Sequence, residues 1–414
     1  MPSLDPFFSE WAGRTPGQAR SLDRAAALLT ALDLHDERTP VLGVVGSKGK
    51  GSTATVAAAT LSAAGARTVL VTGPSFRGYR ERVRVDGTSV TDTELDGLGA
   101  EIENARKTLP EHDGYLAPSG LFLVAGLLKA REIGADVCVL EAGMGGHRDE
   151  LRLVGPEVVA LGMVFAEHLG VLGDTVTEIA REKTRVAGER TRALVCLPQS
   201  PEVSPVVERT LSEVTADRVL PEIVDPELPG SEPPPALRPP GLSAASGVLG
   251  VAAGTRALEL LGHVPAPIDR LHHVLGTLNL PARLSEHPVP GDATARVLVD
   301  SAIDRVGVRT ALERGRVLWG GVDHVLLCLP DHKDVSGAIG ALGGTPVTAV
   351  RLPEAHLRFE HDLPAHWDRV DAERLTPDFV ASLGDRVLAL GTVYFTGRMM
   401  EVLDAPTDRL FDPR

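Results

Sequence analysis

Three stretches of the chain gather residue types that handle phosphate and hard metal ions. The first is Gly46-Ser47-Lys48-Gly49-Lys50-Gly51-Ser52-Thr53, set between the apolar run 41–45 and the alanine-rich run that follows. Glycines let a turn tighten until its backbone N–H groups converge on an anion, and a following helix adds partial positive charge at its start. Lys50 would neutralise outer phosphates, and the hydroxyl of Ser52 or Thr53 would suit Mg2+. The common phosphate-loop pattern, G-x-x-x-x-G-K-[ST], does not fit, because Val44 stands where its first glycine belongs and Gly51 follows Lys50. A glycine turn with an incidental lysine is the competing reading.

The second stretch, VCVLEAGMGGHRD at 137–149, ends an apolar run on Glu141 and continues into a glycine turn. In an open α/β sheet, acids at strand ends of this kind bind metals or act in catalysis. One or two carboxylates suffice for Mg2+, which keeps several waters. A capping acid in a loop is the alternative. The third stretch, 162–186, holds Glu167-His168, a glycine loop, Asp174 and Lys183. Asp174 is expected to cap a helix, with Glu178 supporting its dipole. Taken singly, His168 reads equally as a structural loop residue and Lys183 as a solvated helix lysine.

The elements that must hold these residues alternate between short β-branched runs and longer helical patterns. Strands are expected at 41–45, 68–72, 136–140, 158–164 and 192–197, and helices at 21–32, 52–64, 121–133, 175–187 and 248–262. Such alternation predicts βαβ units and a mostly parallel sheet covered on both faces. The proline-rich run 222–241 predicts a long loop or an edge excursion. A second break, SEHPVPGDATA at 285–295, precedes renewed alternation at 296–300, 323–330, 346–352 and 386–391. The expected organisation is a large α/β domain with a phosphate loop over 1–288 and a smaller, Rossmann-like α/β domain over 289–414, with ligands bound at strand ends and between the two.

Composition narrows the partners. The 414 residues carry a net charge of −14, which disfavours nucleic acid or an anionic membrane as the main partner. Cys138, Cys196 and Cys328 lie far apart and read as core residues rather than a disulfide or zinc framework. The first twenty residues lack a signal-like apolar core, and no run of eighteen apolar residues occurs. A soluble cytoplasmic protein is the expectation.

Taken in order, these stretches resemble the folylpolyglutamate synthase and dihydrofolate synthase family of the Mur ligase superfamily. The family's shortened loop, G-T-N-G-K-G-S, corresponds to 46–52. Its S-P-H-L-x-x-F-x-E-R-x-x-x-x-G corresponds to GPSFRGYRERVRVDG, and its L-E-x-G-x-G-G-R-x-D to LEAGMGGHRD. Its L-D-H segment and the helix after it correspond to AEHLGVLGDTVTEIAREK, and its P-G-R-L-E to PARLSE. Its D-G-A-H-N-P, D-K-D and G-S-x-Y-x-x-G elements correspond to DSAIDRVG, DHKDV and GTVYFTG.

The resemblance implies a ligase: ATP phosphorylates a carboxylate, an amino acid's amine attacks the acyl phosphate, and an amide, ADP and phosphate result. By family position, 46–53 with Arg283 and Asp300 would bind ATP. Ser52, Glu141 and His168 would hold Mg2+, and Lys50, His168 and Lys183 would be catalytic, Lys183 matching a lysine that is carbamylated in the family. The substrates would be small molecules, and the protein a monomer.

Departures from the pattern fall together. Gly73 replaces a metal-binding serine, with Thr72, Ser75 or a water as stand-ins. Ile303 and Asp304 replace His-Asn, and Ser243 and Gly247 replace the His and Asn of an adenine-side pattern, G-x-H-Q-x-x-N. The T-x-F-E segment is APSGLF, without glutamate, and His147 stands for an arginine with no role apparent. The phosphoryl-transfer set is kept while the residues facing folate and adenine drift. The expected function is therefore an amide ligase acting on an acid other than folate. A true folylpolyglutamate or dihydrofolate synthase, and a non-catalytic scaffold homologue, are the alternatives.

Overall fold

The computed structural model describes residues 5–35, 39–110, 113–354 and 356–414. Two sheets organise it. The first holds β1 (Val41–Val45), β2 (Thr68–Val71), β3 (Val83–Val85), β4 (Thr88–Ser89), β5 (Val137–Glu141), β6 (Val158–Leu161), β7 (Ala193–Cys196) and β8 (Pro221–Ile223). Their order is β4-β3-β2-β5-β1-β6-β7-β8, parallel except where β3 pairs with β2 and β4. β1, β2, β5, β6 and β7 are buried almost throughout, which explains their uninterrupted apolar sequences. β8 lies at the edge, where the proline-rich run can begin without breaking the ladder. All three cysteines are buried.

The second sheet holds β9 (Arg283–Pro288), β10 (Arg296–Asp300), β11 (His324–Cys328), β12 (Val347–Arg351), β13 (Asp368–Asp371) and β14 (Arg386–Gly391), in the order β13-β12-β11-β14-β10-β9. β9 runs antiparallel to β10, the rest parallel. The run SEHP, expected to break the pattern, is thus strand. It places the division between the sheets ahead of Arg283, not after residue 288, because alternating burial along β9 was hidden by its prolines and charges.

The chain's last residues return to the first domain. Ser89 N–H donates to Asp408 O at 2.8 Å, and Leu410 N–H to Gly87 O at 2.9 Å. The Arg84 guanidinium, buried, donates to Thr407 O at 2.9 Å, and the Thr407 hydroxyl to Glu81 Oε1 at 2.8 Å. Phe411 is buried in the first domain's core. The boundary between the domains is therefore crossed twice.

Gly241–Leu261 is long and apolar enough to cross a membrane by length and composition, contrary to the expectation from counting apolar runs. Here it packs on the Lys50–Ala63 helix. A Cβ on Gly250 would meet Thr53 O at 2.8 Å, and one on Gly254 would meet Ala57 O at 3.0 Å, so small residues set how closely the helices approach.

Candidate active site

The loop after β1 begins at Gly46, whose φ of +148° and close approach to Gly162 leave no room for a side chain. Gly49, at φ +79°, caps the Lys50–Ala63 helix, and a Cβ there would overlap Ser246 Oγ. The first bond into the helix runs from Thr53 N–H to Gly49 O at 2.9 Å, so the amides ahead of Thr53 have no intrahelical acceptor. This is the geometry of an anion cradle. Ser47 staples the loop from behind: its hydroxyl accepts from Phe165 N–H at 3.1 Å and donates to Phe165 O at 3.2 Å.

Two lysines meet at one carbonyl. Gly46 O accepts from Lys50 Nζ at 3.3 Å and from Lys183 Nζ at 2.9 Å. Lys183 is buried and pairs with Glu167 Oε1 at 2.7 Å. Burial lowers its affinity for a proton, Glu167 pulls the other way, and Lys50 adds repulsion. Its helix, Val176–Thr184, is capped by Thr175, not Asp174: Thr175 Oγ1 accepts from Glu178 N–H, while Glu178 Oε2 takes Asp174 N–H at 2.7 Å. The capping-box spacing from Thr175 to Glu178 was the signal for this. One residue before Lys183, Glu182 Oε1 accepts from Arg148 N–H at 2.8 Å, clamping the GMGGHRD turn onto the helix.

Register places Glu141 beside the loop, since Val44 of β1 pairs with it. Its Oε2 accepts from Gly73 N–H at 2.8 Å and would lie 3.3 Å from a Cβ on Gly51. Burial pushes its pKa up, while Lys50, the Gly73 N–H, Arg283 and Arg82 pull it back. A Cβ on Gly73 would sit 3.1 Å from Arg82 Nη1, so the guanidinium borders the space of the expected serine. Arg82 Nε is buried without a hydrogen-bond partner.

Ser52 Oγ is likewise buried and unpartnered. An orphan hydroxyl on the helix's first turn and a half-buried carboxylate against the same loop form a hard-oxygen set that fits Mg2+. His168 is not joined to it. Its ring is exposed on a backbone at φ +48°, and no group of three or more His, Cys, Asp or Glu side chains able to hold a metal occurs among the described residues.

The second domain reaches the loop mouth. Arg283 Nη1 donates to Ala282 O at 2.8 Å and Ser301 Oγ at 3.0 Å. Asp300, at the end of β10, accepts from Leu284 N–H at 2.8 Å, and burial pushes it up to about 6 against the pull of Arg283. Lys48 Nζ bonds Asp304 Oδ2 at 2.6 Å across the domains.

Gly120 stands in the segment that lacks the expected glutamate. A Cβ there would meet the Glu150 carboxyl carbon at 2.5 Å, so a carboxylate from another helix fills that space. Glu150 pairs with Arg20 at 3.3 Å, and burial pushes it up to about 7. His147 Nδ1 is buried without a partner, beside a cavity of about 830 Å³ that includes none of the loop residues. Arg82 and Glu150 were not singled out from sequence, because their roles depend on packing partners far along the chain, and Glu167 was noted without its pairing to Lys183.

No protein-family model matches the chain. It is 41% identical over 163 residues to a probable bifunctional folylpolyglutamate synthase/dihydropteroate synthase of Haloferax volcanii, covering 39% of this chain and 19% of that one. It is 30% identical over 165 residues to the folylpolyglutamate synthase of Lacticaseibacillus casei, covering 39% of each. Fold agreement extends over the whole chain: the apo form of the L. casei folylpolyglutamate synthase matches with a TM-score of 0.78 at 19% identity, covering 98% of this chain and all of that one. In sequence the chain is thus similar to folylpolyglutamate synthases over part of its length, and in fold over nearly all of it. The Mycobacterium tuberculosis folylpolyglutamate synthase complexed with ADP and AMPPCP has a similar fold, with a TM-score of 0.74 at 18% identity, covering 93% of this chain and 96% of that one. The chain's sequence matches span less than half the length of these curated relatives.

Proposed function

We propose that the chain is an ATP-dependent carboxylate–amine ligase that forms ADP and phosphate. The observation that carries this reading is the convergence of Lys50 and Lys183 on Gly46 O, beside Glu141. The 46–53 loop, with Arg283 and Asp300, would hold ATP. Ser52 and Glu141 would hold Mg2+, which would screen charge on the phosphates. His168, exposed, is left without a ligand or catalytic role in this proposal. Lys50 and the loop amides would stabilise charge on the transferring phosphoryl group. The acid's carboxylate oxygen takes the γ-phosphoryl group as the bond to ADP breaks; the amino acid's amine then attacks the acyl carbon and phosphate leaves.

Burial lowers the proton affinity of Lys183, which favours the neutral amine that takes up CO2, while Glu167 opposes it. Carbamylated Lys183 belongs to the proposal, as do a monomeric state, small-molecule substrates and a cytoplasmic setting.

Gly120 with Glu150 packed against it, and the altered stretch around Gly73, support an acid other than folate. The relatives' names favour folate itself, with the same steps after the acid binds. A thermal-shift titration with ATP and Mg2+ tests the nucleotide reading: a shift lost in Lys50→Ala supports it, and no shift in either chain sinks it. ADP release across folates, other carboxylic acids and amino acids separates the two acids. Robust turnover with tetrahydrofolate and glutamate would remove the non-folate reading.

A further inference from the structure

Two departures from the family pattern meet in space. Lys48 stands at the asparagine of G-T-N-G-K-G-S, and Asp304 at the asparagine of D-G-A-H-N-P. Their side chains form a 2.6 Å ion pair that joins the phosphate loop to the second domain. Lys48 is about half exposed and Asp304 less so, at 52% and 29%, so solvent screens the pair and little holds it shut.

The surroundings favour exchange. Asp304 keeps a second task when Lys48 leaves, because its Oδ1 caps the Arg305–Trp319 helix by accepting from Gly307 N–H at 2.8 Å. Lys333, from the DHKDV element, is close enough to Lys48 for the two cations to repel, a smaller effect on Lys333 than its burial. Lys50 lies two residues further along the same loop. Phosphate oxygens at the helix start would therefore draw Lys48 away from a single carboxylate.

We infer that Lys48 is a phosphate ligand held in reserve by Asp304, so that nucleotide binding exchanges the carboxylate partner of Lys48 for phosphate. This rests on the nucleotide reading of the loop. No bond is made or broken covalently; one ion pair replaces another.

The test is calorimetric titration of the non-hydrolysable β,γ-methylene analogue of ATP, with Mg2+, into the full chain and its variants. Asp304→Asn keeps a good helix cap and frees Lys48, and is expected to tighten the analogue by about three- to five-fold. Lys48→Met is expected to weaken it by a similar factor, and Lys48→Arg to restore it. In the Lys48→Met background, Asp304→Asn should change nothing. Unchanged or weaker binding in Asp304→Asn, or the same gain with Lys48 absent, overturns the inference and leaves the nucleotide reading standing. No binding by the unaltered chain overturns both.

Discussion

Lys183 Nζ lies 2.7 Å from Glu167 Oε1, and the pair is set beneath the phosphate loop. Removing the carboxylate strands a buried ammonium. Glu167→Ala is expected to cost about 3–5 kcal/mol near neutral pH. The sign of the pH dependence follows from the lysine. Burial holds its native pKa below the ordinary 10.5, so the unfolded chain binds more protons in that window and stability rises with pH there. Without Glu167 the lysine sheds its proton earlier, so the deficit of Glu167→Ala should shrink as pH rises. Urea denaturation at about pH 7 and about pH 9 checks this, and a deficit that grows with pH would contradict it.

Glu150 gives the opposite case. Its pKa stands raised from 4.5 to about 7, chiefly by burial, so the native chain binds more protons than the unfolded one between those values. Its ionisation costs stability as pH climbs through that window. Glu150→Gln should stabilise the chain by on the order of 1–3 kcal/mol at pH 8 and by much less at pH 5. Gly120→Glu should destabilise at both, because the new side chain meets the Glu150 carboxyl at 2.5 Å. Melting curves at the two pH values read both effects.

Much of this architecture is legible in sequence, and the residues say why. Strands buried on both faces announce themselves as apolar runs, as Val137–Glu141 does, and the order of glycine turns and acids gave the loop and Glu141 their positions. β9 was missed because an edge strand with prolines and charges reads as a break. Thr175 was passed over for Asp174 because both suit a cap, and only the spacing to Glu178 decides between them. Arg82 and Glu150 act through partners distant in sequence, which no local pattern encodes. The pairing of Lys48 with Asp304 spans 256 positions and became visible only when both departures were placed in space.

Ser52 separates stability from function. Its hydroxyl is buried without a partner, a cost of roughly 1 kcal/mol or more in the ligand-free chain. Ser52→Ala should therefore leave the free protein unchanged or slightly more stable, and weaken the Mg2+-dependent part of nucleotide binding. Thermal melts with and without ATP and Mg2+ show whether the two move in opposite directions. A loss of stability in the free protein would contradict the assignment.

The tail is expected to carry real stability. Phe411→Ala empties a buried site against Gly87 and should cost about 3–5 kcal/mol. Protease cleavage between the domains should accelerate in parallel, since the tail ties β3 and β4 to the second domain. An unchanged cleavage rate would show that the tail does not hold the domains together.

Carboxylate activation is the central claim, and oxygen tracing tests it most directly. The acid found by the ADP-release screen is labelled with 18O in its carboxylate and turned over with ATP, Mg2+ and the amino acid. The account predicts one labelled oxygen in the released inorganic phosphate, ADP as the nucleotide product, and no turnover by Lys50→Ala. Label appearing in AMP, or phosphate released without label, would contradict it.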